Sequence, residues 1–217
     1  MTSEQTMPRV RNKPVIAIYD LSVLWFSNRF VWRCPTPLIL DFYNRYISGT
    51  HLDAGIGTGY FLDHCTFPVA APRLTLLDIN ETNLRRAAKR LERYHPRTCQ
   101  ANVIDPIPLQ DARFDSIAIN YVLHLLPAPM SLKARAFEQL TPFLNPGGVV
   151  FGSTILGTGV PHTTLAHRFL ATYNAKGVFQ NAEDSLVDLE HMLQAAFPTY
   201  TLETVGSVAF FTGRLDG

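Results

Sequence analysis

The 217-residue chain suits a single α/β domain with a short N-terminal extension. Its 47% hydrophobic and 17% charged residues exclude a disordered protein, and a net charge of +1 argues against a nucleic-acid binder working by bulk charge. Three scattered cysteines match neither a disulfide framework nor a zinc pattern, and no apolar run reaches the roughly 18 residues of a membrane span, so a soluble chain in a reducing, cytoplasmic setting is expected.

Residues 1–13 mix charges, Ser and Thr with a Pro and lack the apolar stretch of a signal peptide; they are expected to form a flexible arm. Residues 14–217 are then one domain. Its first part, 14–48, is dense in aromatics and holds both tryptophans, Trp25 and Trp32. Two helices are expected there, over 20–30 and 36–48, the second with Ile39, Phe42, Tyr43 and Tyr46 at helical spacing.

From His51 the rhythm is strand, turn, helix. The run 74–77 reads as a buried parallel strand. Residues 81–94 read as an amphipathic helix with Leu84, Ala87, Ala88 and Leu91 on one face and Arg85, Arg86, Lys89, Arg90 and Arg93 on the other. That basic face lacks interleaved aromatics and reads as solvated rather than as an RNA surface. Further strands are expected over 116–119 and 149–155, and helices over 132–144, 164–173 and 185–196. Strands over 200–205 and 207–213, with only Gly206 between them, suggest a closing antiparallel pair. The alternation implies a mostly parallel sheet with helices on both faces.

The strongest chemical signal is the run Asp53-Ala54-Gly55-Ile56-Gly57-Thr58-Gly59, directly after a strand and before an expected helix. Glycines there allow a tight turn and close backbone approach to a ligand. Asp78 ends the next strand, 25 residues after Asp53, where a carboxylate can accept bonds from a ribose diol. The third glycine falls one residue too early for a dinucleotide fingerprint. Asp53 would repel a pyrophosphate and suits an ammonium instead. S-adenosylmethionine (SAM) carries that ammonium together with a sulfonium, a carboxylate and a ribose diol.

These residues resemble a class I SAM-dependent methyltransferase over about 19–214. The glycine run resembles the family's glycine motif and Asp78 its ribose-binding acid. Phe114-Asp115-Ser116-Ile117 to Leu126-Pro127 resembles its fourth strand and following loop, and Leu144-Asn145-Pro146-Gly147-Gly148 the hairpin before its fifth strand. Tyr19-Asp20, Ser27-Asn28, Trp32-Arg33-Cys34-Pro35-Thr36, Gly59-Tyr60-Phe61-Leu62-Asp63 and Ser153-Thr154-Ile155-Leu156-Gly157 resemble, more closely, a group of short fungal and bacterial small-metabolite methyltransferases. The resemblance implies a Rossmann-like seven-stranded sheet in the order 3-2-1-4-5-7-6 with strand 7 antiparallel, residues 49–217 as the core and 14–48 as a helical cap. It implies SAM as cofactor, a small-molecule acceptor, no nucleic-acid or membrane partner, and a monomer or homodimer.

On that basis Tyr19, Trp32, Asp53, Gly55, Gly57, Gly59, Asp78, Ile79, Asn80, Asn102, Val103 and Asn120 are the expected cofactor residues. Asn102 and Val103 stand where the family often has an acid for the adenine amine. On the acceptor side the expected residues are Arg33, Tyr121, His124, His162, Arg168 and Tyr173. His124 and His162 are the catalytic candidates, with His124 either a base or an orienting group. No metal-ligand cluster is visible, so no metal is expected. Methylation of an oxygen is expected, a carboxylate ahead of a hydroxyl; transfer to nitrogen, sulfur or carbon, or a SAM-binding subunit without activity, are the rival readings.

Overall fold

In the computed structural model, which describes residues 20–110 and 112–216 with side chains from Leu24 onward, strands and helices alternate from residue 50. The strands are β1 (Thr50–Ala54), β2 (Arg73–Asp78), β3 (Arg97–Gln100), β4 (Phe114–Asn120), β5 (Leu144–Ile155), β6 (Thr199–Val205) and β7 (Val208–Arg214). The helices are α1 (Thr36–Tyr46), α2 (Tyr60–His64), α3 (Glu81–Arg90), α4 (Met130–Lys133), α5 (Arg135–Leu140), α6 (Thr164–Ala175) and α7 (Leu186–Ala196), preceded by a π-wound helix over Asp20–Val31. The expected arm, 1–13, lies outside the described residues.

The seven strands form one sheet in the order β3-β2-β1-β4-β5-β7-β6. β7 runs antiparallel to both β5 and β6, and the other pairings are parallel, as the resemblance implies. Side chains alternate between two apolar clusters, one on each face. Ile117, Ile119 and Val150 pack with Phe137, Leu140 and Leu189; Ala118, Phe151 and Leu76 pack with Ile39, Leu84 and Ala87. α5 and α7 therefore cover one face, and α1 and α3 the other.

Local chemistry explains where helices stop. Asn80 caps α3 by accepting the Thr82 N–H at 2.9 Å. α3 ends at Arg90, a turn short of the expected Tyr94, because the chain tightens into a 3₁₀ turn and His95 takes a left-handed φ of 48° before Pro96. The single helix expected over 132–144 is instead α4, α5 and a 3₁₀ turn over Thr141–Phe143, where Pro142 removes a backbone donor. β5 starts five residues earlier than expected: Leu144 pairs with Phe114, and a register irregularity absorbs the Asn145–Gly148 segment. Asn145 donates to Asp115 across it at 2.7 Å.

β1 and β4 are neighbours, yet the chain leaves the C-terminal end of β1 toward β2 on one side and that of β4 toward β5 on the other. In an open α/β sheet that is where a ligand crevice forms.

Candidate active site

The glycine turn follows β1 and is tied to the end of β2, where the Leu77 carbonyl accepts the N–H groups of Gly55 (2.7 Å) and Ile56 (3.1 Å). Gly55, Gly57 and Gly59 all have left-handed φ, between 55° and 79°, but they serve different neighbours. A Cβ at Gly55 would lie 2.2 Å from Val122, and one at Gly59 would press on Ala87 of α3 at 3.1 Å. A Cβ at Gly57 would meet nothing nearer than a carbonyl at 4.0 Å. Gly57 thus faces open space, whereas a side chain at Gly55 would strike Val122 of the chain itself. α2 spans only Tyr60–His64, so the helix dipole expected behind the glycines is small.

Asp78 projects into the same turn. Its Oδ1 accepts the Asn80 N–H (2.8 Å), and its Oδ2 accepts the Gly57 N–H (3.1 Å) and the Asn83 amide (3.2 Å). Burial raises its pKa against the pull of these bonds. A carboxylate offers about four acceptor positions, so a further bond can still be accepted. Ile79, next to it, is 58% exposed. The Asn80 side-chain oxygen is taken by the α3 cap. Asn102 forms a local turn, accepting Ile104 N–H with its side chain and Asp105 N–H with its carbonyl, and Val103 packs into the core.

Asp53 is 3% exposed, and its Oδ2 accepts the Tyr43 hydroxyl of α1 at 2.9 Å. Asn120 ends β4; its side-chain oxygen accepts the Ser153 hydroxyl, while its buried Nδ2 has no hydrogen-bond partner. That orphaned donor, the open face at Gly57 and the spare acceptor positions of Asp53 and Asp78 suit a ligand with a carboxylate, an ammonium and a diol.

The loop after β4 is held in an unusual shape. Tyr121 has a φ of 56°, its N–H bonds Ser153 (2.8 Å), and its hydroxyl donates to Asn28 of the π-wound helix (3.1 Å). Burial, then the nearby Cys34, raises its pKa well above 10; burial lifts the Cys34 thiol to about 12. His124 is buried, with Phe179 (4.7 Å between ring centres) and Tyr121 (5.6 Å) against its ring. Its Nδ1 receives the Ile155 N–H at 3.4 Å and lies 3.3 Å from the Thr154 hydroxyl. Nδ1 is therefore the acceptor nitrogen and Nε2 carries the proton. Burial, and secondarily the charge of Lys133, lowers the ring's pKa to about 3.

Other acceptor-side expectations fare differently. His162 uses both ring nitrogens, Nδ1 with Ser207 (2.9 Å) and Nε2 donating to the Gly157 carbonyl (3.0 Å). It pins the loop after β5 to the β6–β7 turn, with both ring nitrogens engaged. The Trp32 ring is buried against Phe169 and Phe179, and its carbonyl accepts the Ser207 N–H. Tyr173 joins that cluster through Phe169 and Phe179. Arg33 (φ 54°) and Arg168 are exposed, and neither side chain forms a hydrogen bond or ion pair among the described residues. Arg33 lies beside Gly206 of the β6–β7 turn. Tyr19 lies outside the described residues. Among the described residues no three His, Cys, Asp or Glu side chains gather as a metal-binding group.

Two features escaped the sequence. Lys133 of α4 and Asp184 form a buried ion pair at 2.6 Å, and the same ammonium donates to the Gln180 carbonyl at 2.8 Å. Burial lowers the lysine's pKa and raises the aspartate's, each opposed by the partner. No spacing signals a pair 51 residues apart. His51, by contrast, carried a signal: a histidine inside an apolar strand, two residues before Asp53, so that both side chains share a face.

Comparison with known proteins agrees with this architecture. A family described as "Methyltransferase domain" matches residues 52–150. The chain is 37% identical to the demethylluteothin O-methyltransferase of Streptomyces thioluteus, over 92% of this chain and 86% of that one. It is 35% identical to the N-methyltransferase vrtF of Penicillium aethiopicum, over 83% and 76%. In structure it is similar to DhpI, solved as a complex with S-adenosylhomocysteine (SAH), with a TM-score of 0.66 and 19% identity over 92% of this chain and 91% of that one. Glycine turn, strand-end acid, sheet order and full-length relatives agree: the chain belongs to the class I SAM-dependent methyltransferases.

Proposed function

We propose that this methyltransferase acts on an oxygen of a small metabolite that is already an anion at neutral pH, a carboxylate ahead of a hydroxyl. The observation that carries this reading is the state of His124. Its Nδ1 lone pair is engaged by the Ile155 N–H, and its ring stays neutral down to about pH 3. Tyr121, Cys34 and His162 are no better placed to take a proton. An acceptor that needed a base, whether an alcohol or a protonated amine, would find none ready among these groups. An anionic oxygen needs only a donor, and the Nε2–H of His124 is one.

Bound SAM supplies a methyl group activated by its sulfonium. The chain's part is to hold and to orient. Asp78 accepts the ribose diol, Asp53 faces the ammonium, and the open face at Gly57 leaves room for the methionine portion. Ile79 lies along the base, with Asn102 and Val103 at its edge. Tyr121 and His124 orient the acceptor oxygen for in-line attack, and the cap excludes water. Among the relatives whose names state the atom, three are O-methyltransferases and one is an N-methyltransferase, which supports a small-metabolite acceptor and oxygen ahead of nitrogen.

The test is a panel of carboxylic acids, phenols and alkyl amines, with SAH formation as the readout. Turnover is expected for acids and for phenols ionised near neutrality. Preference for an amine or a weakly acidic alcohol, with rate falling below about pH 6.5, would reject the reading.

A further inference from the structure

Beneath the glycine turn lies a buried polar chain with no place in the chemistry described so far. Tyr43 and His51 are as fully buried as Asp53, and both converge on the same oxygen, Oδ2. Tyr43 donates to it at 2.9 Å, and His51 Nε2 lies 3.7 Å away. That nitrogen has no hydrogen-bond partner, although it is shielded from solvent. Its orientation comes from behind. The Ser48 N–H bonds Ser116 Oγ (2.9 Å), which lies 2.8 Å from His51 Nδ1. With the serine hydroxyl donating to Nδ1, Nε2–H is directed at the carboxylate; the opposite tautomer would set a bare lone pair against it. Cys65 is the third polar neighbour. Burial, and then the charge of Asp53, raises its thiol to about 12, so it remains neutral. Among the described residues no donor meets Oδ1.

We propose that Tyr43 and His51 are positioning residues for SAM binding: they draw Oδ2 of Asp53 inward and present Oδ1 to the ligand's ammonium. This rests on the reading of Asp53 as the ammonium's partner. A carboxylate this deeply buried would otherwise rotate toward whatever donor it could reach. The residue on α1 matters most, because Tyr43 ties the cap to the cofactor turn through a single hydroxyl. Its ring, stacked on Phe61 at 5.1 Å, packs independently of that bond.

The experiment is titration calorimetry with two ligands, SAH and 5′-methylthioadenosine, which keeps the adenosine and lacks the amino-acid end. Tyr43→Phe retains the ring and removes the donor. It should weaken SAH about tenfold and leave methylthioadenosine within about twofold. In an Asp53→Asn background the same substitution should cost nothing more. Unchanged SAH affinity, an equal loss for both ligands, or full additivity with Asp53→Asn would each overturn the proposal. Asp53→Asn alone tests the underlying reading: if it leaves SAH binding intact, Asp53 does not face the ammonium. Sensitivity to Asp53→Asn without sensitivity to Tyr43→Phe rejects only the positioning role.

Discussion

His124 shows how burial changes a residue's chemistry. A histidine in the loop after the fourth strand is an obvious base candidate, and its ordinary pKa near 6.5 would put an acidic limb in the rate. Here its pKa is about 3 and Nδ1 already accepts a backbone N–H. His124→Gln should therefore keep substantial activity, and the wild-type rate should lack an inflection from this group between about pH 6 and 8, which initial rates of SAH formation would check. Stability carries the opposite signature. Between about pH 6.5 and 3 the unfolded chain binds the proton that the folded His124 refuses, so stability falls as pH drops, by up to about 1.4 kcal/mol per unit from this group. Urea denaturation at pH 7 and 5 should show that slope shallower in His124→Gln. At the glycine turn, Gly57→Val places a side chain into open space at a φ of 55° and should abolish SAM binding with the fold retained; Gly55→Val strikes Val122 and should lower the melting temperature first. Asp78→Ala should weaken SAM roughly 10- to 100-fold by calorimetry. Asp78→Asn is not a mild change either, because each carboxylate oxygen already faces a donor and an amide NH₂ would oppose one of them.

At the scale of elements, the acceptor side is assembled from pieces distant in sequence. The π-wound helix reaches the loop after β4 through Asn28 and Tyr121, and the segment after α6 reaches it through Phe179 against His124 and the Gln180 N–H on the His124 carbonyl. Lys133 and Asp184 anchor that segment from below. Removing one partner strands a charge, since neither side chain is more than 3% exposed. Lys133→Met should cost about 3–5 kcal/mol, and adding Asp184→Leu should recover most of it, because an apolar pair of similar volume is often neutral. Equilibrium urea unfolding of the single and double variants would measure both. The helix expected over 132–144 was misread for a related reason. Its apolar spacing is helical, but Pro142 and the early start of β5 divide it, and β5 starts early because Leu144 finds Phe114 across the sheet.

For the whole molecule, the connections diverge between β1 and β4, so a ligand bound at that point should tie the loops after β1, β2 and β4 together. SAH at about 100 times its Kd should add about 2.7 kcal/mol, or roughly 5–10 °C in melting temperature for a chain this size, and Gly57→Val should lose the shift. The strand-helix alternation, the sheet order and the cofactor turn were legible in the sequence. Glycines, strand-end acids and apolar runs are local constraints, and the period of two places alternate residues on opposite faces wherever the strand lies. Asp53, Gly57 and Asp78 lie together because their spacing is itself the geometry of a strand, a turn and the next strand. Residue type does not reveal what consumes a ring nitrogen or covers an indole. The two nitrogens of His162 are taken by Gly157 and Ser207, and Trp32 is enclosed by Phe169 and Phe179. The Lys133–Asp184 pair, the Tyr43–Asp53 bond and the neutral state of His124 depend on burial and on partners brought together from separate segments. Desolvation and long-range pairing exist only once the chain has closed around them, so these were decided by the tertiary structure alone.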